Sequence, residues 1–376
     1  MNSALKVKSN LIQIVSDGYV YENPKSYLCS RQAMYPSLVD LGNGELICSY
    51  NLGEAVESVD NRNYLSRSTD NGKTWSFEKE LIGGTHCGRT ISSTVRIAKV
   101  SDRVLGFGAI CYRENPEEGL LNHETLGYAP MSLVTIASGN NGRTWSEPEI
   151  ISTPLDGPAF EICHSIIELP DGRWIVPTST WAGWNGELPN GHKGIIMISS
   201  DKGRTWDYSV TFDGDKAGGI IPWEQSAVIL DNGDILVVAW YYNPSAAKNL
   251  PNHFTISRDG GKTFSEPKTF GIDGQTCKML KLDDGRILLA YRRNDKPGLW
   301  LNLSEFDDGK WNHLSECPVC GFSSGMSGKG KSSDELSGLS FGYPQMIQLN
   351  DRSIFMAFWC LDGWSSKIRC VKLNIK

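Results

Sequence analysis

The sequence lacks the features that mark several large classes of protein. No stretch of its 376 residues approaches the roughly 18 continuous apolar residues of a membrane-spanning helix. Positive charge is not in excess, because 37 lysines and arginines stand against 43 aspartates and glutamates, and the formal net charge is −6. Proteins that bind nucleic acids need a basic surface to meet the phosphates. The composition therefore predicts that neither a membrane nor a nucleic acid is a partner.

The start of the chain has no continuous apolar segment of the kind found in secretory signals, because polar and apolar residues alternate from Met1 to Val15. Most of the ten cysteines stand alone in strand-like runs, as Cys48, Cys111 and Cys277 do. Isolated cysteines in such runs are typical of reduced thiols in a core. Both features predict a cytoplasmic protein.

Metal ligands are also scarce. His313, Cys317 and Cys320 have the spacing of half a zinc site, but no second Cys-x2-Cys pair or neighbouring histidine supplies the other ligands. We therefore expect no metal and no other cofactor. The segment that follows, residues 321–340, is rich in glycine and serine. Its composition predicts a mobile loop, which could act as a lid over a site.

Glycine, in contrast, is abundant, with 39 residues, and much of it belongs to repeated turns. Four segments share the pattern Ser-x-Asp/Asn-x-Gly-x-Thr-Trp/Phe, called the Asp box below, and they span residues 68–75, 138–145, 199–206 and 257–264. A degenerate fifth copy ends at Trp311. The Asp and Ser side chains can bond the backbone of a turn, glycine can adopt a positive φ, and the aromatic ring can pack between strands. The repeat therefore indicates a structural role.

A second repeat alternates with the Asp boxes. Apolar strand-like runs flank an Asn-Gly or Asp-Gly pair, the strongest short signal of a β-hairpin, in residues 37–50, 165–177, 226–240 and 278–291. Residues 94–110 and 345–359 are weaker versions. Six hairpins without helical periodicity predict an all-β fold, a six-bladed β-propeller with four-stranded antiparallel blades and Asp-box turns. We expect residues 1–376 to form this one domain.

The site of a propeller is expected on its axis, where the starts of the innermost strands converge. When the hairpins are aligned on their turns, the position just before the first strand holds Tyr35, Cys163, Glu224, Thr276 and Tyr343. Glu224 is the most informative of these, because a carboxylate that opens an apolar strand must be paired or functional.

Further candidates for ligand binding lie next to these positions. The following aligned position holds His164 and Gln225, and a histidine can bond a hydroxyl group or act as an acid or base. Trp181 begins a glycine-rich loop, and Trp240 ends the fourth hairpin. Because tryptophan rings stack on the C–H faces of sugars, we expect a carbohydrate partner. The sequence leaves the oligomeric state open.

These repeats and three further matches resemble the sialidase (neuraminidase) superfamily of glycoside hydrolases over nearly the whole chain. Glu224 leads a strand that ends in an Asn-Gly turn, as a glutamate does in that family. The motif Phe-Gly-Tyr-Pro places Tyr343 in the last blade, where the family has its nucleophile. The family's acid/base aspartate lies between the first hairpin and the first Asp box, where Asp60 stands, with Glu54 and Glu57 as alternatives.

The resemblance implies an exo-acting hydrolase that removes a terminal sugar. Tyr343 would attack the anomeric carbon, Glu224 would accept its proton, and Asp60 would protonate the leaving oxygen. A neutral tyrosine suits sialic acid, because the carboxylate on the anomeric carbon of that sugar would repel an anionic nucleophile.

The sequence departs from the family in the three arginines that clamp the substrate carboxylate. The first position reads Met34-Tyr35-Pro36, with Arg31 three residues out of register, and the second is Trp240. Arg292 or Arg293 could supply the third, and Arg89 could contribute from the second blade. The resemblance therefore supports a glycosidase, while sialic acid or another acidic sugar stays one alternative among substrates.

Two other functions are consistent with the same residues. A non-catalytic propeller that binds glycans would explain the incomplete arginine set. A polysaccharide lyase would use His164 with Tyr343 or Tyr35 as base and acid on a uronic acid. The three hypotheses share a fold, and fold alone does not decide between them.

Overall fold

The computed structural model describes residues 11–320 and 340–376, and within these ranges the chain forms β-strands and turns without any helix. The strands build six antiparallel sheets, which are the blades of a six-bladed propeller. The predicted all-β fold is confirmed. The predicted lid at 321–340 lies, apart from Ser340, outside the described residues. No helix in the described part of the chain has the length and apolar character to cross a membrane.

The blades follow one another in chain order. The first strand, β1 (Ile12–Tyr21), joins the last blade. Blade 1 holds β2 (Gln32–Gly42), β3 (Glu45–Gly53), β4 (Arg62–Ser68) and β5 (Ser76–Glu80). Blade 2 holds β6 (Thr85–His86), β7 (Arg89–Val100), β8 (Arg103–Tyr112), β9 (Met131–Ser138) and β10 (Glu149–Ile150). Blade 3 holds β11 (Ala159–Phe160), β12 (Ile167–Glu168), β13 (Trp174–Trp181), β14 (Lys193–Ser199) and β15 (Asp207–Asp213).

The second half of the chain repeats the pattern. Blade 4 holds β16 (Ile221–Ile229), β17 (Ile235–Asn243), β18 (Lys248–Ser257) and β19 (Lys268–Thr269). Blade 5 holds β20 (Gly274–Lys281), β21 (Ile287–Arg293), β22 (Leu299–Asp307) and β23 (Lys310–Cys320). Blade 6 holds β24 (Phe341–Gln348), β25 (Ile354–Asp362) and β26 (Ser365–Ile375), and β1 completes it.

The ring is closed by strands from both ends of the described chain. β1 pairs antiparallel with β26, and Ile12 lies opposite Ile375. Blade 6 therefore contains three strands from the end of the chain and one from its start. The sequence repeat did not predict this arrangement, because β1 carries no hairpin signal of its own.

Neighbouring blades are held together by apolar side chains on both faces of each sheet. Between blades 1 and 2, Ile47 and Leu65 pack with Val95 and Ile110, and all four are fully buried. The same kind of cluster fills the other gaps between blades. Sheets buried on both faces require near-continuous apolar strands, which is the pattern that the hairpin sequences show.

The Asp-box segments form the turns before the outermost strand of blades 1 to 4. In the first of them, Asp70 accepts hydrogen bonds from the Thr74 hydroxyl at 2.6 Å and from the Thr74 backbone N–H at 2.9 Å. The Trp75 indole donates to the carbonyl of Gly72, where φ is +81°. These contacts close the turn within one segment and leave the axis of the propeller to other residues.

Three of these turns should make the stability of the protein sensitive to acid. The hydrogen bond from the Thr74 hydroxyl, followed by that from its N–H, lowers the pKa of Asp70 to about 2. The hydrogen bond from the Thr205 N–H lowers the pKa of Asp201 to about 2. The hydrogen bond from the Thr263 hydroxyl lowers the pKa of Asp259 to about 2. Because each folded-state pKa lies below the unfolded value of about 3.9, the stabilisation is present above pH 4 and is lost as the pH falls towards 2.

We expect the triple variant Asp70→Asn, Asp201→Asn, Asp259→Asn to fold and to lose part of this pH dependence. Asn140 already occupies the aspartate position of the second box, where its side chain accepts from the Thr144 N–H at 2.9 Å. Urea unfolding between pH 2 and 6 measures the effect, with the exposed Asp102→Asn as control. Equal pH dependence in the triple variant and the wild type would contradict the assignment.

Candidate active site

A cavity of about 190 Å³ lies where the innermost strands of the blades converge. Inner strands contribute four of its polar side chains, and these are Tyr35, Arg96, Glu224 and Tyr343. Three more come from loops or strand ends, namely Glu57, Tyr128 and Glu161. The rest of the lining is mostly apolar or aromatic and includes Leu121, Leu126, Met131 and Trp181.

The backbone of the inner strands directs several of these side chains. Tyr35, Glu224, Thr276 and Tyr343 all have positive φ, between 50° and 55°. Each begins a two-residue interruption in the pairing with the second strand of its blade. Such a β-bulge re-aims side chains and is common beside active sites. The alignment of hairpins therefore identified a position at which four blades share one backbone conformation.

Blades 2 and 3 depart from this pattern. β7 pairs with β8 without a bulge, and Arg96 lies opposite Phe107 in that regular ladder. In blade 3 the interruption is wider, because residues 161–166 separate β11 from β12. Cys163 is buried there without positive φ, and Glu161, two residues earlier, reaches the cavity instead.

Two tyrosines and two cations form one cluster at the cavity. The rings of Tyr35 and Tyr343 meet edge to face with centroids 5.5 Å apart. The Arg96 guanidinium lies 4.1 Å and the Lys278 ammonium 4.6 Å from the centroid of the Tyr343 ring. The Tyr343 hydroxyl donates to the carbonyl of Ile162 at 3.0 Å. Tyr343 is thus held by its hydroxyl and by cations against its ring.

Both phenols are neutral at ordinary pH. Burial raises the pKa of Tyr343 well above its usual value of about 10. Burial, and after it the charge of Glu224, raises the pKa of Tyr35 to about 12. A proton acceptor is therefore needed before either tyrosine can act as a nucleophile.

Two carboxyl groups lie together beside the tyrosines. The backbone N–H of Glu224 donates to Glu161 Oε2 at 2.8 Å, and the Thr276 hydroxyl donates to Glu224 Oε2. Glu161 is 8% exposed. Its burial, and next the charge of Glu224, raises the pKa of the Glu161 carboxyl. The pair can therefore divide its roles, with Glu161 as the group that retains a proton more readily.

A third carboxyl group, Glu57, reaches the cavity from the loop between β3 and β4. Glu57 Oε2 accepts a hydrogen bond from the Leu121 N–H at 3.1 Å. The buried guanidinium of Arg113 donates to the carbonyls of Glu57 at 2.9 Å and Glu118 at 2.6 Å. These bonds join two loops over the cavity and fix the position of the Glu57 side chain.

Asp60 is not among the residues that line the cavity. Its Oδ1 accepts hydrogen bonds from the Ser58 hydroxyl at 2.6 Å and from the Glu54 N–H at 3.0 Å. The aspartate closes the tight loop on itself, and its carboxylate is consequently turned towards its own backbone. Of the three acids that the sequence suggested in this loop, the structure brings Glu57 to the cavity.

A stack of aromatic rings forms one wall. The Trp181 and Trp223 rings are stacked with centroids 5.4 Å apart, and Trp240 meets Trp223 at 4.9 Å. The Trp181 indole donates to the carbonyl of Leu126 at 2.6 Å. Trp181 and Trp240, both named from the sequence, therefore line the cavity, and Trp223 lies in contact with both.

The predicted arginines lie elsewhere. Arg31 lines a separate surface groove beside β1 and β4. Arg89 is about half exposed, pairs with Glu114, and lies 4.0 Å from the centroid of the Tyr112 ring. Arg292 is buried and donates to Gln275 Oε1 through Nε and Nη2. The structure does not bring these three side chains to one point.

Two further predicted residues lie outside the cavity lining. His164 bonds the carbonyl of Ser165 at 2.9 Å, and burial lowers the pKa of its imidazole to about 4. Gln225 accepts from the Thr211 hydroxyl at 2.6 Å and donates to the carbonyl of Thr178. The His164 ring thus bonds the adjacent backbone, and the Gln225 amide connects strands of blades 3 and 4. The lyase alternative needs His164 at the substrate, and this geometry does not support that role.

The sequence reasoning missed Arg96 and Glu161. Each is a single charged residue between apolar neighbours, in Val95-Arg96-Ile97 and Phe160-Glu161-Ile162. A charge in such a setting must be paired or functional when the strand is buried. The same criterion that selected Glu224 would have found both residues.

His313, the histidine of the incomplete zinc motif, bonds other groups of the protein. His313 bonds the Ser304 hydroxyl at 2.8 Å and the carbonyl of Phe270 at 2.7 Å. In the described ranges, no three His, Cys, Asp or Glu side chains are grouped so that they could hold a metal ion.

Known structures resemble this fold. A protein of unknown function from Dyadobacter fermentans superposes with a TM-score of 0.71 at 21% identity, over 97% of this chain and 99% of that chain. The intramolecular trans-sialidase from Ruminococcus gnavus gives 0.63 at 14% identity, over 92% and 95%. Trypanosoma rangeli sialidase in complex with sialic acid gives 0.63 at 14%, over 91% and 54%. At these identities the likeness concerns the fold.

Comparison with curated proteins finds no match to the sequence. A family model does match it. The model of the BNR repeat-like domain covers residues 120–356, which is more than half of the chain. The chain therefore belongs to the BNR repeat-like domain family and has the six-bladed propeller fold of the sialidases.

Proposed function

We propose that the protein is an exo-acting glycoside hydrolase of the sialidase-like type, which removes one terminal sugar in the axial cavity. The observation that carries this proposal is the meeting of Tyr343, Glu224, Glu161 and Glu57 in one cavity. Its volume of about 190 Å³ is below the roughly 300–1,000 Å³ of sites for drug-sized ligands. A single sugar unit fits that size.

Tyr343 is the proposed nucleophile. Its oxygen would form a bond to the anomeric carbon while the bond from that carbon to the leaving oxygen breaks. The negative charge that develops on the phenol oxygen would be stabilised by Arg96 and Lys278, both within 5 Å of the ring centroid. Water would then cleave the bond between tyrosine and sugar and release the sugar.

Glu224 is the proposed base for the Tyr343 proton. Burial, and next the charge of Glu224, raises the pKa of Glu161, and two nearby carboxyl groups do not both ionise readily. Glu161 would retain the proton of the pair, which leaves Glu224 as the acceptor. The Thr276 hydroxyl, which donates to Glu224 Oε2, would hold that carboxylate in place.

Glu57 is the proposed acid for the leaving oxygen, in place of Asp60. It lines the cavity, and the Leu121 N–H holds one of its oxygens. Asp60 uses its carboxylate within the loop. The other oxygen of Glu57 would carry the proton.

We expect Tyr343→Phe and Glu224→Gln each to lower kcat by about 10²–10⁴-fold, because one removes the nucleophile and the other its base. Initial rates on a panel of 4-nitrophenyl glycosides measure the effect. Tyr19→Phe is the matched control, since the Tyr19 hydroxyl bonds Asp362 on the outer strands of blade 6. Wild-type rates in both cavity variants would exclude the mechanism.

A second comparison separates the two acids. Glu57→Gln should slow hydrolysis by about 10²–10⁴-fold on alkyl glycosides, whose leaving oxygen needs a proton, and much less on 2,4-dinitrophenyl glycosides. Asp60→Asn should stay within a few-fold of the wild type on both, because an asparagine Oδ1 keeps both acceptor bonds. The opposite ranking would assign the acid to Asp60.

A further inference from the structure

We infer that the cavity selects a sugar without a carboxylate, one that presents hydroxyl groups to the glutamates and an apolar edge to the apolar side chains of the lining. This inference rests on the proposed hydrolase function and specifies its substrate. The sugars expected to bind are neutral hexoses, and 6-deoxyhexoses in particular. Sialic acid and the uronic acids are expected to be rejected.

The first argument concerns positive charge. Arg96 is the one cationic side chain among the described residues that line the cavity. Its Nε donates to the carbonyl of Ile162 at 3.2 Å, and its Nη1 donates to the carbonyl of Tyr35. A bidentate bond to a carboxylate needs two adjacent donors on one side of the guanidinium. The single N–H of Nε is therefore committed to the backbone, and so is one of the two N–H groups of Nη1, which weakens Arg96 as a bidentate partner for a substrate carboxylate.

Lys278, behind the Tyr343 ring, does not replace a second arginine. Its ammonium group donates to the carbonyl of Cys163 at 2.8 Å and to that of Gln225 at 3.4 Å. It is 3% exposed and is not part of the cavity lining. Its charge acts on Tyr343 and Glu161 through the protein. A carboxylate in the cavity would therefore meet no ammonium group directly.

The second argument concerns negative charge. Glu57, Glu161 and Glu224 all line a cavity of about 190 Å³. In the proposed mechanism Glu224 is the one of the three that acts as a carboxylate, and its charge would repel a substrate carboxylate held in the same small cavity. Sugar hydroxyls, in contrast, are donors, and carboxylate oxygens are the strongest acceptors for them. The acidic side of the cavity thus fits a polyhydroxylated neutral ring.

The third argument concerns the apolar side chains of the lining. Val56, Leu121, Leu126 and Met131 line the cavity with side chains that offer no hydrogen bond. A hydroxyl or carboxylate held against them would lose its water without a new partner, at a cost of about 1–3 kcal/mol for a hydroxyl and more for a charge. A methyl group gains by the same burial. A sugar whose C6 lies against these side chains is therefore favoured when C6 is a methyl group rather than a carboxylate.

Free sugars that differ only at C6 test the inference on the wild-type protein. The sets are D-fucose, D-galactose and D-galacturonic acid, then 6-deoxy-D-glucose, D-glucose and D-glucuronic acid, with L-fucose, L-rhamnose and sialic acid added. Isothermal titration measures the dissociation constants. In the set that binds best, we expect the uronic acid to bind at least about tenfold more weakly than the 6-deoxy sugar.

A pair of variants at the edge of the cavity gives the matched control. Val56 is 40% exposed and lines the cavity. Val56→Arg introduces a guanidinium whose donors are not committed, and it should shift the ratio of uronic acid to 6-deoxy sugar binding towards the acid by about tenfold. Val56→Gln removes the same apolar contact and adds a polar chain without charge, so it should shift the ratio clearly less than Val56→Arg does.

The outcomes distinguish the inference from the function on which it rests. Preferred binding of a uronic acid or sialic acid by the wild type would overturn the inference, as would a panel in which no neutral sugar binds. Binding of neutral sugars without turnover of any of their 4-nitrophenyl glycosides would overturn the hydrolase and leave the selectivity supported.

Discussion

The candidate site depends on one interruption that is repeated in the innermost strands. At Tyr35, Glu224, Thr276 and Tyr343 the backbone adopts a positive φ that costs roughly 1–3 kcal/mol at a residue other than glycine. Regular pairing on both sides of each bulge, and the packing of apolar side chains between blades, hold the chain in this conformation. Without the bulge, each side chain would follow the alternation of its strand into a gap between blades. The fold thus uses stable pairing to hold strained residues at the axis.

Charge at the axis is balanced locally, which explains how so many ionisable groups can be buried together. Arg96 and Lys278 lie against the tyrosine rings and bond backbone carbonyls, while Glu161 and Glu224 share a backbone hydrogen bond. Each charge has a partner, so the cost of removing it from water is offset. Arg96 and Lys278 thus donate to the backbone of the protein itself. The inferred preference for a sugar without a carboxylate rests on this arrangement.

The repeated hairpins and Asp boxes were sufficient to predict the number of blades, because each is a local signal that needs no distant partner. They also placed Tyr35, Glu224 and Tyr343 at equivalent positions, and the structure puts all three in the cavity lining. Asp60 and Glu57 could not be separated in this way. They are three residues apart in one loop, and the contact that separates them, the Leu121 N–H, lies in another blade. His164 and Gln225 were named for their chain positions, but the His164 ring bonds the carbonyl of the next residue and the Gln225 amide bonds neighbouring strands.

The sequence by itself determined the propeller, since turn residues and apolar alternation act within a few positions of the chain. It also determined which inner strands carry polar residues near the axis. The tertiary structure alone decided which of those residues share one cavity, because that depends on how six blades and their loops meet. It decided the pairing of β1 with β26 and the hydrogen bond between the Glu224 N–H and the Glu161 carboxyl group. It also decided that Arg31, Arg89 and Arg292 lie apart. Contacts between residues far apart in the chain have no local signal, and only the assembled ring contains them.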